Sequence, residues 1–490
     1  MKHFVRILSL VIALLMVSSV FVACNNDTGD TKDTGNNSDV SDTVATTEGG
    51  LPAINWEGAE YRILGRDYEI DMFRNFEIDR DEMPEDVVGI AVWNRNEAIK
   101  SKYGLDIVGT LDDNPRVVAK TFLEAGDDQY DLVLLMPSVI PTYAMQGYML
   151  NLHALNYIDL EMDCWNQYAN QQLTMGGKLY YTTSKFLLHD KHRLSVAFYN
   201  RDLAAELNIG YLETKVFEGE WVIEDLVEIA KIGSAEIDGS EGMTFNDRWG
   251  VSMESSGAFA RLAYCVGFRI SDMGSDGWPV LIGATDRMIS CLDKVYELTT
   301  DNNTCFIWSL RPDSDKSGHI DSDIFTQGRA VVHLDCMSTI DDTGRMNFAF
   351  GVLPLPKYDA AQEVYYALPG STNGTIMGIP STVSDVDKAA FGVQALSEEA
   401  VDTSYYAYIE TKCKLQDAYD QDVAKCLEII FENVVYDIAY ISDIGGLGTI
   451  VGSDLVKQPT NVYARLYSKY ERKANNEIAD IKEKYASFAS

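Results

Sequence analysis

The chain of 490 residues carries 75 acidic side chains against 40 basic ones, a formal charge of −35, with 46% hydrophobic and 11% aromatic content. That composition is globular, and the length beyond the first fifty residues exceeds one ordinary core, so two lobes are expected. The charge opposes nucleic-acid binding, whose affinity is largely phosphate neutralisation, and it repels anionic lipid.

Lys2, His3 and Arg6 precede an apolar run from Ile7 to Ala23. A basic start, an apolar stretch and a small residue before the cut describe a secretory leader over residues 1–23. The stretch Val20-Phe21-Val22-Ala23-Cys24 resembles the bacterial lipoprotein cleavage site, with Phe21 where a Leu is usual. Cys24 is then the expected site of lipidation, and the membrane is met through that lipid anchor only. An uncleaved anchor is the other reading of the run; both put residues 51–490 outside the cytoplasm. Residues 24–50, nearly all Asn, Asp, Thr, Gly and Ser, read as a flexible polar tether. The later cysteines, at 164, 265, 291, 305, 336, 413 and 426, include no CxxC pair and read as buried free thiols.

From Tyr61 short apolar strands alternate with amphipathic helical segments. Tyr61–Leu64 is a strand ending at Gly65, Val87–Tyr103 has helical spacing, and a strand lies near Asp106–Val108. A second helix runs to Ala125, followed by a buried-type strand from Asp131 to Met136 that Pro137 stops. This alternation implies a largely parallel sheet with helices on both faces. A second α/β unit begins near Ser195, with strands at Val196–Tyr199, Gly250–Met253 and Ala330–Leu334. Helices are expected after Asn200-Arg201-Asp202, over Trp221–Ile232, over Ile324–Gly328, over 384–400 and 414–435, and in a long charged tail from Val462 to Phe488.

Motifs for chemistry are sparse. No HExxH, GxSxG, Walker A or dinucleotide fingerprint occurs, and no cofactor is implied. His189 and His192 lack the spacing of a helical zinc site and read as loop residues. Asp313, Asp315, Ser317 and Asp321 match the early positions of a calcium loop, but Ile324 stands where its bidentate Glu belongs. The other reading of that stretch is an acidic turn capping a helix.

The order of segments then resembles a known family. Gln129-Tyr130-Asp131-Leu132-Val133 with Gln146-Gly147-Tyr148-Met149-Leu150, Gly177-Lys178-Leu179-Tyr180-Tyr181, and Val196-Ala197-Phe198-Tyr199-Asn200-Arg201-Asp202 are similar to successive motifs of extracellular solute-binding proteins. Glu220-Trp221 through Lys231, Phe325-Thr326-Gln327-Gly328-Arg329-Ala330, and Phe350-Gly351-Val352-Leu353-Pro354 continue that order across residues 60–400. The resemblance is to maltose-binding-like, lipid-anchored subunits of bacterial ABC importers. Cys336-Met337-Ser338 replaces a stretch that often carries a stacking Trp there, which departs from a maltooligosaccharide site.

The resemblance implies an α/β, two-lobed periplasmic-binding-protein-like fold of type II, with a hinge and an interlobe ligand cleft. Lobe 1 would comprise residues 51–190 and 361–410, and lobe 2 residues 191–360 and 411–490. In open α/β sheets ligands sit beyond the carboxyl ends of strands. Candidate ligand residues are therefore Arg66 and Asp67, Ser138, Ser184 and Lys185, Glu254, Ser255 and Ser256, Asp335 and Ser338, and Ser371, Thr372 and Asn373. Tyr181 and Trp249, beside two of these loops, either stack on a sugar face or belong to the core. The implied function is capture of a small polar solute, carbohydrate first, for delivery to an ABC permease, without enzymatic turnover. A surface-anchored glycoside hydrolase and a sensor without transport are the alternatives.

Overall fold

The computed structural model describes residues 50–67, 75–78, 84–254, 256–313, 318–370, 374–415 and 418–488. The expected leader, Cys24 and the tether lie outside these residues, as do Ser255, Asp315, Ser317, Ser371, Thr372 and Asn373.

β1 (Ala59–Arg66) lies between β2 (Leu105–Asp112) and β3 (Leu132–Leu135), parallel to both. The helix Val87–Tyr103 links β1 to β2. It starts where Asp86 accepts the Gly89 N–H at 2.7 Å and stops at Gly104, whose φ of 61° is left-handed. The chain then builds a second sheet from β4 (Ser195–Asn200), β5 (Trp249–Met253), β8 (Cys305–Ile307), β9 (Ala330–Cys336) and β10 (Phe350–Leu353), in the order β10-β4-β9-β5-β8. β6 (Ser271–Met273) and β7 (Pro279–Leu281) form a separate hairpin. Finally β11 (Ile376–Gly378) returns to the first sheet, antiparallel to β3. β3, β4, β5 and β9 are buried along their whole length. That is why they read as continuous apolar runs rather than alternating ones: helices cover both faces.

Two chain crossings join the sheets, from β3 to β4 and from β10 to β11, and they touch each other. Leu194 pairs with Pro369, and the Ser195 hydroxyl accepts the Leu368 N–H at 3.1 Å. The helix expected over 414–435 begins only at Gln421, because Lys414–Leu415 and Ala418–Tyr419 pair as a small hairpin and Asp420 caps the helix, accepting from Asp422 and Val423 N–H groups. The tail helix Tyr463–Ser487 buries Tyr463, Tyr467, Ala474, Ile481 and Tyr485. It starts against Phe268, with ring centroids 5.3 Å apart. It ends on residues of the first half, where the Lys178 ammonium donates to the carbonyls of Tyr485 and Phe488 at 2.9 and 2.7 Å. The segment expected with lobe 2 alone thus spans both halves. Six cysteines among the described residues are buried and unpaired. No described helix is long and apolar enough to cross a membrane.

His189 and His192 are not loop residues: they open and close one buried helical turn. His189 Nδ1 lies 2.8 Å from the Thr375 hydroxyl, and its N–H donates to Glu77. Glu77 is wholly buried, which pushes its pKa up to about 7 from 4.5; N–H groups of Glu77 and His189 oppose the rise, and the Asp190 charge adds to it. The folded protein therefore holds a proton that the unfolded chain releases. This stabilisation is complete below pH 4.5 and is lost as pH rises through about 7. Across that window it amounts to about 3 kcal/mol, at about 1.4 kcal/mol per pKa unit. Glu77→Gln should flatten that part of the stability profile. Urea melts of both proteins at about pH 5 and about pH 8 check this, and identical slopes would contradict it.

Candidate ligand cleft

The carboxyl ends of β5 and β9 bring the polar groups together. Glu254 follows β5 directly and precedes the helix Ser256–Cys265, from which Arg261 reaches back to form an ion pair with it. Arg261 is 7% exposed, so the pair sits mostly out of water. On the adjacent β9, Asp335 is also 7% exposed and takes hydrogen bonds from several sides. The Thr339 hydroxyl donates to it at 2.6 Å, the Cys336 N–H at 2.5 Å, and His333 Nε2 lies 3.3 Å away. His333 is fixed in turn by Ser252, 2.8 Å from its Nδ1. Burial alone would raise the Asp335 pKa. The His333 and Thr339 contacts and the Arg261 charge outweigh burial and hold it below the usual carboxylate value.

Glu254 and Arg261 form one wall of a cavity of about 510 Å³, inside the usual range for small-molecule sites. Ser138, just beyond β3, forms the wall contributed by the first sheet; Pro369 and Gly370 lie at the crossing. The remaining wall is the segment Tyr440 to Ser453, supplying Tyr440, Asp443, Thr449 and Ser453. Asp443 adopts a left-handed φ of 48°, followed by Gly445 and Gly446 at 67° and 90°. Its carboxylate accepts the Thr449 N–H and hydroxyl at 2.7 and 2.8 Å, closing the turn. Residues Ile450–Asp454 continue as a π-turn, a form frequent at functional sites. Asp437 anchors the segment, accepting from Tyr264, Ile270, Ser271 and Ala439.

Ser138 and Glu254 meet in this cavity, with Asp335 adjoining: Glu254, Asp335 and Cys336 place their donor atoms within 4.8 Å of one another. The Arg261 ion pair and the hydrogen bonds from His333 and Thr339 already engage these carboxylates. Ser338 lies nearby, accepting from the buried Arg193 at 2.7 Å. Arg66 lines a separate cavity of about 40 Å³ with Asn75 and Thr375, and the Asp67 N–H is tied to the Asp112 carbonyl.

Five expected contacts are structural instead. Trp249 stands at the first position of β5, the wrong end of the strand, about 16 Å from Glu254 at strand rise. Its indole donates to the Thr244 carbonyl in the core. Tyr181 is 1% exposed, and burial raises the pKa of its hydroxyl. Ser184 is wholly buried, accepting from Ser397 and Phe186. Lys185 lies over the Tyr405 ring, 5.5 Å from its centroid. Ser256 begins its helix. Of the calcium-loop residues, Asp313 is exposed, whereas Asp321 accepts the Ser322 N–H, and burial with the Asp335 charge raises its pKa.

Arg261, His333 and the 440–453 segment were not among the expected contacts. Arg261 had a signal, since it stands in the second turn of the helix that follows Glu254. Gly445-Gly446, Gly448 and Gly452 mark an unusual backbone, but nothing local says which cavity it lines.

No protein-family model and no curated protein matches the sequence. Solved structures do. The Bdellovibrio bacteriovorus maltose/maltodextrin-binding domain MalE, bound to maltotriose, is 13% identical with a TM-score of 0.51, covering 86% of this chain and 100% of its own. A sugar transporter of Rhizobium etli in an open conformation is 12% identical, with a TM-score of 0.52, covering 88% and 100%. M. tuberculosis UspC is 13% identical at 0.52, covering 85% and 99%. The fold of this chain is that of the type II periplasmic binding proteins: two α/β lobes with open, mixed sheets.

Proposed function

We propose that this protein is an extracytoplasmic solute-binding protein that captures a carbohydrate between its lobes and delivers it to an ABC permease, held to the membrane by a lipid on Cys24. One observation carries the reading: Ser138 of the first half, Glu254 and Arg261 of the second, and the crossing at Pro369–Gly370 line one cavity. A solute touching both lobes favours the closed hinge by contacts that only the closed state makes. The match in fold to a MalE domain holding maltotriose and to a sugar transporter supports a sugar. The lining, with Tyr440 as its aromatic member, favours hydroxyl recognition by charged and backbone groups over stacking.

The hydrolase reading needs one carboxyl kept protonated as the acid. Asp335 is held the other way, and Glu254 is paired with Arg261. A thermal-shift screen against maltotriose, other oligosaccharides and short peptides tests the proposal. A saccharide at about 100 times its Kd should add about 2.7 kcal/mol of stability and be recovered chemically unchanged. Stabilisation by peptides alone would overturn the ligand class, and a cleaved saccharide would overturn the absence of turnover.

A further inference from the structure

A second cavity of about 740 Å³ lies at the opposite end of the helix Ser256–Cys265 from Glu254. Ten helical residues separate the two by about 15 Å. The first half contributes Tyr168, Gln171 and Gln172 to it, from the helix Gln167–Leu173; the second half contributes Arg269 and Arg287, and the crossing from β10 to β11 contributes Tyr366.

Its chemistry is fixed by two arginines held on aromatic rings. The Arg269 guanidinium lies 4.3 Å from the Tyr366 ring centroid, and its Nη1 donates to the Tyr264 and Phe268 carbonyls at 2.8 and 2.6 Å. Tyr168 of the first half lines the same groove, near enough to feel the Arg269 charge, so the groove lies where the two halves meet. The Arg287 guanidinium lies 3.5 Å from the Tyr358 centroid and 3.8 Å from Asp359. Asp272, Asp359 and Glu363 stand in the same lining. Asp437 also lines the groove but is taken up by Tyr264, Ile270, Ser271 and Ala439, so two cations among the three remaining carboxylates favour neither an anion nor a cation. Half-buried tyrosines, guanidinium donors, carboxylate acceptors and the Gln171 amide together suit a neutral ring bearing many hydroxyls.

We infer that this groove is a second carbohydrate site, separate from the cleft and bounded by both lobes. Its occupancy is linked to the hinge, because Tyr168 and Arg269 change separation as the lobes turn; any such coupling is reciprocal between the two sites. Only the ligand class is shared with the cleft, and no cleft residue enters the groove.

The test uses maltotriose and glucose as probes in saturation-transfer NMR on a cleft-disabled protein, Glu254→Gln/Arg261→Met. Saturable binding with a Kd of about 1 mM is expected to survive there. Arg287→Ala and Tyr366→Ala, each in that background, should weaken it about tenfold, one lost hydrogen bond or stacking contact being about 1.4 kcal/mol. Tyr366→Phe should retain it, which separates ring contact from misfolding. No saturable binding of either sugar to the cleft-disabled protein, or binding indifferent to both groove substitutions, overturns the inference. Wild-type affinity in the cleft-disabled protein, lost on groove substitution, would instead count against the cleft.

Discussion

Arg261→Ala should abolish measurable ligand binding and lower stability by about 3–5 kcal/mol, the range for removing one partner of a buried ion pair. The substitution strands Glu254 and withdraws positive charge from Asp335, whose low pKa depends partly on it. Glu254 in the cavity wall and Asp335 behind it would then both lie poorly solvated, and protonation is their remaining route to neutrality. The double substitution Glu254→Gln/Arg261→Met separates the two effects. It removes both charges, so most of the stability should return while cleft affinity stays lost. Chemical denaturation alongside calorimetric titration checks this. A single variant as stable as wild type would show that the pair is exposed, contrary to the burial of Arg261.

Gly250→Val should prevent folding or leave a protein unable to bind. Gly250 is in the middle of β5, where the helix Ile223–Gly233 presses on the strand. A Cβ at this position would fall well inside contact distance of the Ala230 carbonyl and Cα and of the Ile229 carbonyl. These are backbone atoms, so no rotamer change relieves the clash; Gly233 approaches Gly250 from the other side in the same way. Overpacking in cores costs about 1–3 kcal/mol even where side chains can yield, and more is expected here. Relief by sliding the helix would tilt β5 and displace Glu254 at its end. Gly250→Ala should show the same defect in milder form, read by the melting temperature and the soluble yield; a wild-type melting temperature in both variants would contradict the close approach.

The sheets were legible because their strands are buried on both faces and announce themselves as apolar runs, as Leu132–Leu135 and Ala330–Cys336 do. Strand direction pointed to Ser138 and Glu254, which line one cavity, and to Asp335, which adjoins it, since the carboxyl ends of strands face the crevice in open α/β sheets. Residue type misled where position should have ruled. Trp249 and Tyr181 are the sort of ring a sugar stacks on, but one begins its strand and the other is walled in by Tyr485. The segment Tyr440–Ser453 was illegible for a different reason. It reaches the cavity from some 180 residues beyond Arg261, through an anchor at Asp437 whose partners Tyr264 and Ser271 no sequence period connects to it. The hairpin at 414–419 was hidden because its flanking helices share an apolar spacing that runs on through it in the sequence.

Small-angle X-ray scattering with and without the saccharide found by thermal shift tests most directly whether the solute is held between the lobes. Wild-type protein should contract, its radius of gyration falling as saccharide saturates the cleft, and the Glu254→Gln/Arg261→Met protein should not contract at the same saccharide concentration. Full saccharide binding with an unchanged radius of gyration in the wild type would contradict an interlobe site.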